Sequence, residues 1–246
     1  MRVTYIIARR EFVGYFVTPL AFVFLVVFLV AAAVATFDAS FGNFMGRRQA
    51  DLLSFFDFHP WLLLILMPAV GMRLWTEERR SGSIELLMTL PVTPWQAVGG
   101  KFLAAWAFAA VALALTFPIV ITVNYLGDPD NGVIVAGYIS SLLTAGALLA
   151  LTSCISALTK SQVIAFVISV VAGFLLMVSG LDLVLNVFTG WAPDYLVDLI
   201  ASFSFLTHYY DLTNGVVSIP SIIFYFTLII LLLLINRQII ELKKAG

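Results

Sequence analysis

The feature that most constrains this chain is a series of apolar runs, each roughly 20 residues long, which is the length that an α-helix needs to cross a bilayer. The chain has 246 residues, of which 62% are hydrophobic and only 11% are charged. A soluble domain of this length could not bury so much apolar surface. We therefore predict an all-α, polytopic membrane protein with six transmembrane helices. The predicted ranges are Leu20–Phe37, Phe55–Leu74, Phe102–Asn124, Val133–Leu158, Val163–Leu181 and Ile219–Ile235.

The organisation of the chain is otherwise simple. No repeat, low-complexity tract or linker divides it, so we expect one domain over residues 1–246. Pro68 lies inside the second predicted span and removes one helix hydrogen bond, which predicts a kink. The segment 182–218 before the last span is too long for a simple connection and is largely apolar. We expect it to be partly re-entrant or interfacial, with a short helix from Asp194 to Phe203.

The basic residues predict the orientation. If the six spans alternate, 11 of the 13 Lys and Arg residues fall on the side that holds both termini, and only Arg47 and Arg48 fall on the other side. Basic residues accumulate in cytoplasmic loops. Both termini are therefore expected in the cytoplasm.

Residues 1–18 mix apolar and basic side chains ahead of Thr18 and Pro19, which predict the cap and first turn of the first span. We expect a short interfacial helix whose apolar side chains enter the membrane surface while Arg9 and Arg10, next to Glu11, meet lipid phosphates. An irregular cytoplasmic tail is the alternative.

The sequence lacks the residues and motifs that several kinds of function require. The spans are almost free of ionisable side chains, which argues against a proton-coupled transporter. The chain has no GxSxG, no HExxH and no GxxxxGK[ST], and it contains two His residues and one Cys. We therefore predict that it is not an enzyme and carries neither a metal site nor a nucleotide site of its own. Nucleic acid is not expected as a partner.

One charged island interrupts this apolar chain, TEERRSGSIELLMTLP in the loop 76–93. The second span should continue to Arg80 as a charged extension, and Gly82 permits a turn. Ser83 can then cap a short amphipathic helix, with Glu85 near its positive N-terminus, that ends before Pro91. Such a helix lies either on lipid or in a groove of a soluble partner, and periodicity does not choose between them.

The stretch EERRSGSIELLMTLPVTPWQAVGGKF resembles the sequence between the second and third spans of ABC type-2 permeases, the membrane subunits of ATP-driven exporters. ARREFVGYFVTPLAFVFLVVF, DLLSFFDFHPWLLLILMPAVGMRLWTEE and SFLTHYYDLTNGVVS are similar to the gliding-motility-type branch of that family. Leu90 departs from the pattern, since a small hydroxyl residue is usual before the proline. The positions of the pattern are occupied by Glu78, Gly82, Ser83, Glu85, Leu87, Leu90, Pro91, Val92, Thr93, Gly100 and Lys101.

The resemblance implies a permease subunit in a bacterial inner membrane. Residues 83–90 would form a coupling helix seated in a cytoplasmic ATPase. Two ATPase subunits, which bind the ATP and Mg²⁺, would pair with two permease copies or with this chain and a homologue. An accessory membrane protein with a large extracytoplasmic domain is also implied. The implied coupling residues are Glu77, Glu78, Arg79, Arg80, Gly82, Ser83, Glu85, Leu87 and Pro91, supported by Arg9, Arg10 and Glu11 of the N-terminal helix.

Two alternatives remain open from the sequence. In the first, the same fold and ATPase transmit force to an outer partner through the segment 182–218, and nothing crosses the membrane. In the second, the chain is an intramembrane lipid-modifying enzyme, which would require His59, Asp57 and His208 to converge near the outer leaflet. The substrate is left undetermined by the sequence.

Overall fold

The computed structural model describes residues 2–82, 92–189, 193–213 and 218–242, and all regular secondary structure in these ranges is helical. The predicted all-α fold is confirmed. In chain order the helices are α1 Arg2–Val17, α2 Pro19–Phe37, α3 Phe44–Arg47, α4 Leu53–Gly71, α5 Arg73–Ser81, α6 Pro94–Ala114, α7 Phe117–Leu126, α8 Asn131–Leu158, α9 Gln162–Val178, α10 Asp182–Thr189, α11 Asp194–Ser202, α12 Phe205–Thr213 and α13 Ile219–Leu242.

Four helical segments of the described residues are long and apolar enough to cross a membrane. A fifth span results if α1 and α2, which meet at 75°, are counted together. The predicted span Val163–Leu181, the fifth in chain order, corresponds to α9, which is apolar but has only 17 residues. A polytopic membrane protein is thus confirmed, whereas the count of six stays a prediction. The four long segments are Leu53–Ser81, Pro94–Leu126, Asn131–Leu158 and Ile219–Leu242.

Helix α8 is the centre of the bundle. In its most apolar 18-residue stretch 72% is buried inside the bundle, against 33% in that of α13. Helix α8 packs against α4, α5, α6, α9, α12 and α13. Its sequence is rich in Ala, Gly and Ser, and small residues let helix backbones approach closely in a membrane. A side chain at Gly137, for example, would come within 2.7 Å of the Phe56 ring. The short side chains of α8 therefore set the spacing of the bundle.

The second predicted span continues beyond the membrane length, as expected for a charged extension. Helix α4 runs through Pro68 to Gly71, and α5 follows after Met72, whose N–H still bonds to the Pro68 carbonyl at 2.8 Å. Together they form one 29-residue segment. The interruption thus falls at Met72, one turn beyond the predicted position.

The long segment before the last span contains α10, α11 and α12. The predicted helix at Asp194 is confirmed as α11. Helix α12 buries Phe205, Tyr209 and Leu212, and it packs against α8, α9, α13 and α4. Part of this segment therefore belongs to the core of the bundle.

Candidate functional site

The N-terminal helix is held tightly against α6. Gly100 lies at the contact, where an added Cβ atom would come within 2.8 Å of Ile7 Cγ2 and 3.1 Å of the Thr4 carbonyl oxygen. Tyr15 stacks on Phe108 with 5.3 Å between ring centroids. The predicted N-terminal helix is observed over Arg2–Val17, so the alternative of an irregular tail is wrong there, whereas its position at the membrane interface stays a prediction.

Lys101 follows Gly100 and is the most deeply buried cation of the described ranges, with 3% of its side chain exposed. Its ammonium forms ion pairs with Glu78 on α5 and with Glu11 on α1, the latter at 3.7 Å. It also lies 5.2 Å from the centroid of the Trp75 ring. A buried charge is tolerated only when it is paired. Lys101 therefore ties α1, α5 and α6 together at one point, which we call the Lys101 cluster (Glu11, Trp75, Glu78 and Lys101).

A second set of bonds connects α5 to α8 and α9. Arg79 donates a hydrogen bond to the Ala157 carbonyl oxygen at 2.8 Å, in the last turn of α8, where a cation complements the helix dipole. The Gln162 amide at the start of α9 donates to Glu77 at 3.0 Å. Every turn of α5 is thus linked to a neighbouring helix.

The first turn of α5 is anchored in the core of the helix bundle. The Trp75 indole donates to Ser153 Oγ at 3.1 Å, and the fully buried Asn236 amide on α13 donates to the same oxygen at 2.5 Å. Sequence reasoning did not select Trp75, Ser153, Asn236 or Lys101 as site residues. For Asn236 and Lys101, the signal available in the sequence was a single amide or lysine within an apolar run.

A polar cavity of about 200 Å³ opens beside the Lys101 cluster. One carboxylate oxygen of Glu78, Oε2, is buried there without a hydrogen-bond partner among the described residues. A buried unpaired oxygen next to space can accept a new donor when the helices move. The cavity is lined by Glu11, Gly14, Tyr15, Thr18, Arg73, Leu74, Glu77, Glu78 and Lys101.

The ends of the charged island are defined structurally. Gly82 ends α5 in the left-handed conformation, with φ 72°, which confirms the predicted turn. Thr93 and Gln96 form a reciprocal capping box at the start of α6, with Pro94 in its first turn. Arg9, Arg10 and Arg80 are exposed. The remaining predicted coupling residues lie outside the described residues: Ser83, Glu85, Leu87 and Pro91.

The two histidines of the predicted enzyme alternative have separate hydrogen-bond partners. His59 is fully buried and bonds to Ser141 at 2.9 Å, among phenylalanine rings. His208 bonds to Ser221 at 3.0 Å, and Ser221 in turn donates to Asp211 at 3.3 Å. The serine stands between the imidazole and the carboxylate, so the carboxylate does not orient the histidine as in a hydrolase. The described residues contain no group of three or more His, Cys, Asp or Glu side chains that could hold a metal ion.

Comparison with known proteins identifies the family. A search of curated proteins finds no match. A family model described as "ABC-2 family transporter protein" matches residues 48–236. This match covers most of the chain, including the charged island and the Lys101 cluster except Glu11. The chain therefore belongs to the ABC-2 family of transporter membrane proteins.

Proposed function

We propose that this chain is the permease subunit of an ATP-driven exporter and that its charged island couples the bundle to a separate cytoplasmic ATPase. The observation that carries the proposal is the Lys101 cluster. Its ion pairs fasten the N-terminal helix α1, the extension α5 and helix α6 to one another directly before the loop at Gly82. Such a joint suits an element that receives force from outside the membrane.

In this mechanism the ATPase subunits bind ATP and Mg²⁺ and move the loop that follows Gly82. Because α4 and α5 form one continuous segment, a displacement at Gly82 is passed into the bundle. The bonds from Arg79 to α8 and from Trp75 to Ser153 transmit it to the central helix. The switch is a rigid-body movement of packed helices.

A transport pathway requires a second copy or a homologue in this proposal. The bundle is tightly packed around α8, so a passage forms more easily between two protomers. Helix α9 exposes Val163, Val167 and Val171 along one side, and α4 lies against it. We place these two helices at the seam.

The test is purification of the intact protein from its native membrane in mild detergent, followed by identification of the proteins that accompany it. We expect a P-loop ATPase to accompany the protein. We expect Glu78→Gln to lower the ATP hydrolysis of this complex about tenfold, because the charge-assisted pair between Glu78 and Lys101 is lost. Glu241→Gln is the matched control, since Glu241 pairs locally with Arg237 on its own helix, and both side chains are partly exposed. Absence of an ATPase from the purified complex contradicts the proposal.

A second candidate is force transmission to an outer partner without transport. The observation in its favour is the apolar exposure of α10 and α11, where Leu183 and Tyr195 are 82% and 69% exposed. An accessory membrane protein could dock there. Cross-linking from cysteines placed at these two positions, combined with flux measurements in vesicles, separates the candidates: a cross-linked partner with no ATP-dependent flux supports transmission.

A further inference from the structure

The loop between α2 and α4 lies at the end of the bundle opposite the Lys101 cluster, because α4 and α5 run between them as one segment. Hydrogen bonds and close packing hold this loop in place. Ser54 Oγ donates to the Gly42 carbonyl oxygen at 3.0 Å and receives a hydrogen bond from Arg47 at 2.5 Å. Ala50 packs so closely on Gly127 that an added Cβ atom there would be 2.5 Å from the Ala50 Cβ atom. The loop is therefore fixed to α4 and to the end of α7.

Two adjacent arginines in this loop differ in their surroundings. Arg47 bonds to Ser54 and lies 3.8 Å from the Asp51 carboxylate. Arg48 is exposed and takes part in no ion pair with the described residues. Its backbone is left-handed, with φ 53°, a conformation that arginine adopts rarely and that persists only where the surrounding structure holds it. Among the described residues, Arg48 is therefore an exposed cation without an ion-pair partner.

An apolar cavity of about 270 Å³ adjoins this cation. Phe44, in its wall, meets Phe37 of α2 edge to face at 5.5 Å. From Phe37 an exposed apolar stripe continues along α2 through Val34 and Val30. The cavity, which we call the Arg48 pocket, is lined by Phe44, Met45, Arg48, Gln49, Ala50 and Leu126.

We propose that the Arg48 pocket binds a glycerophospholipid of the adjacent membrane leaflet. The lipid phosphate accepts hydrogen bonds from the Arg48 guanidinium and the Gln49 amide, a pairing that suits the planar fork of arginine. The first methylene groups of an acyl chain enter the cavity, and the rest of the chain follows the stripe on α2. A soluble anion would leave the apolar wall in contact with water, and a neutral lipid would leave the guanidinium without a counter-charge. This assignment is independent of the proposed function.

The test uses the full-length protein in a maltoside detergent, which contains no phosphate. Phosphatidylglycerol with a photoreactive group near the carbonyl end of one acyl chain is added, and labelled peptides are identified by mass spectrometry. We expect labelling at Phe44–Ala50 and Leu126, about tenfold above that of a diacylglycerol with the same photoreactive chain, as expected for one charge-assisted contact. Glycerol phosphate alone, at equal concentration, should not displace the label.

Variants make the assignment specific. Arg48→Gln should lower the labelling about tenfold, whereas Arg80→Gln, which removes the same charge at the opposite end of the bundle, should leave it unchanged. Met45→Glu, which places a carboxylate at the pocket wall and keeps Arg48, should also lower it. Equal labelling by diacylglycerol, full labelling of Arg48→Gln, or displacement by glycerol phosphate would each overturn the proposal.

Discussion

At the scale of single residues, the decisive feature is a lysine that the fold removes from water. Glu78 and Glu11 pair with Lys101 from two other helices, and Trp75 adds an aromatic face beside it. Partly exposed pairs such as Arg237 with Glu241 contribute little, because water screens them and their side chains lose conformational freedom. The Lys101 pairs differ because the solvent is excluded, so removing one partner leaves a charge buried without compensation.

We expect Lys101→Met to destabilise the protein by about 3–5 kcal/mol, since Glu78 is then buried without its cation. The double variant Lys101→Met with Glu78→Gln should recover part of that loss, and Arg237→Met should cost under about 1 kcal/mol. Thermal unfolding of the purified variants in detergent measures all three. A loss of stability for Lys101→Met no larger than that for Arg237→Met would show that the Lys101 cluster does not stabilise the fold.

At the scale of elements, two neighbouring glycines in α6 distinguish the effect of packing on stability from the effect of helix propensity. Gly100 faces α1, whereas among the described residues a Cβ atom at Gly99 would meet only Thr4 Cγ2, at 3.8 Å. Glycine costs about 0.5–1 kcal/mol relative to alanine inside a helix. Gly99 therefore has no packing reason to stay glycine, and Gly100 does.

We predict that Gly100→Ala destabilises the contact between α1 and α6 by about 1–3 kcal/mol, as expected for overpacking against a backbone carbonyl. Gly99→Ala, with the same change of one methyl group, should be neutral or stabilising by up to about 1 kcal/mol. Limited proteolysis within the first 17 residues, together with thermal unfolding, reports on α1. Equal proteolysis of the two variants would contradict the tight packing at Gly100.

At the scale of the whole molecule, the open question is how many times the chain crosses the membrane. The long segments account for four crossings, and the bent pair α1 and α2 adds a fifth. Whether α9 crosses decides on which side the segment α10 to α12 lies. The single cysteine, Cys154, is buried, so introduced cysteines can report on exposed loops.

In a Cys154→Ala background we predict that a cysteine replacing Asp128 or Asp194 reacts with an impermeant maleimide in intact cells. One replacing Lys160 should react only after the membrane is permeabilised. All three positions are exposed in the structure. This pattern follows if six spans alternate and both termini are cytoplasmic. Reaction at Lys160 but not at Asp128 or Asp194 in intact cells would invert the orientation. Equal reactivity at Lys160 and Asp194 would remove α9 from the set of spans.

The sequence by itself determined the all-helical membrane fold, the N-terminal helix, the turn at Gly82 and the capped start of α6. These properties are local: apolar length, turn chemistry and caps act within a few residues. Only the tertiary structure decided that Lys101 bridges α1 and α5 and that Trp75 and Asn236 share Ser153. It also decided that, among the described residues, Arg48 rather than Arg47 is left without an ion pair. Each depends on partners distant in the chain, and burial of a polar group is set by what packs around it.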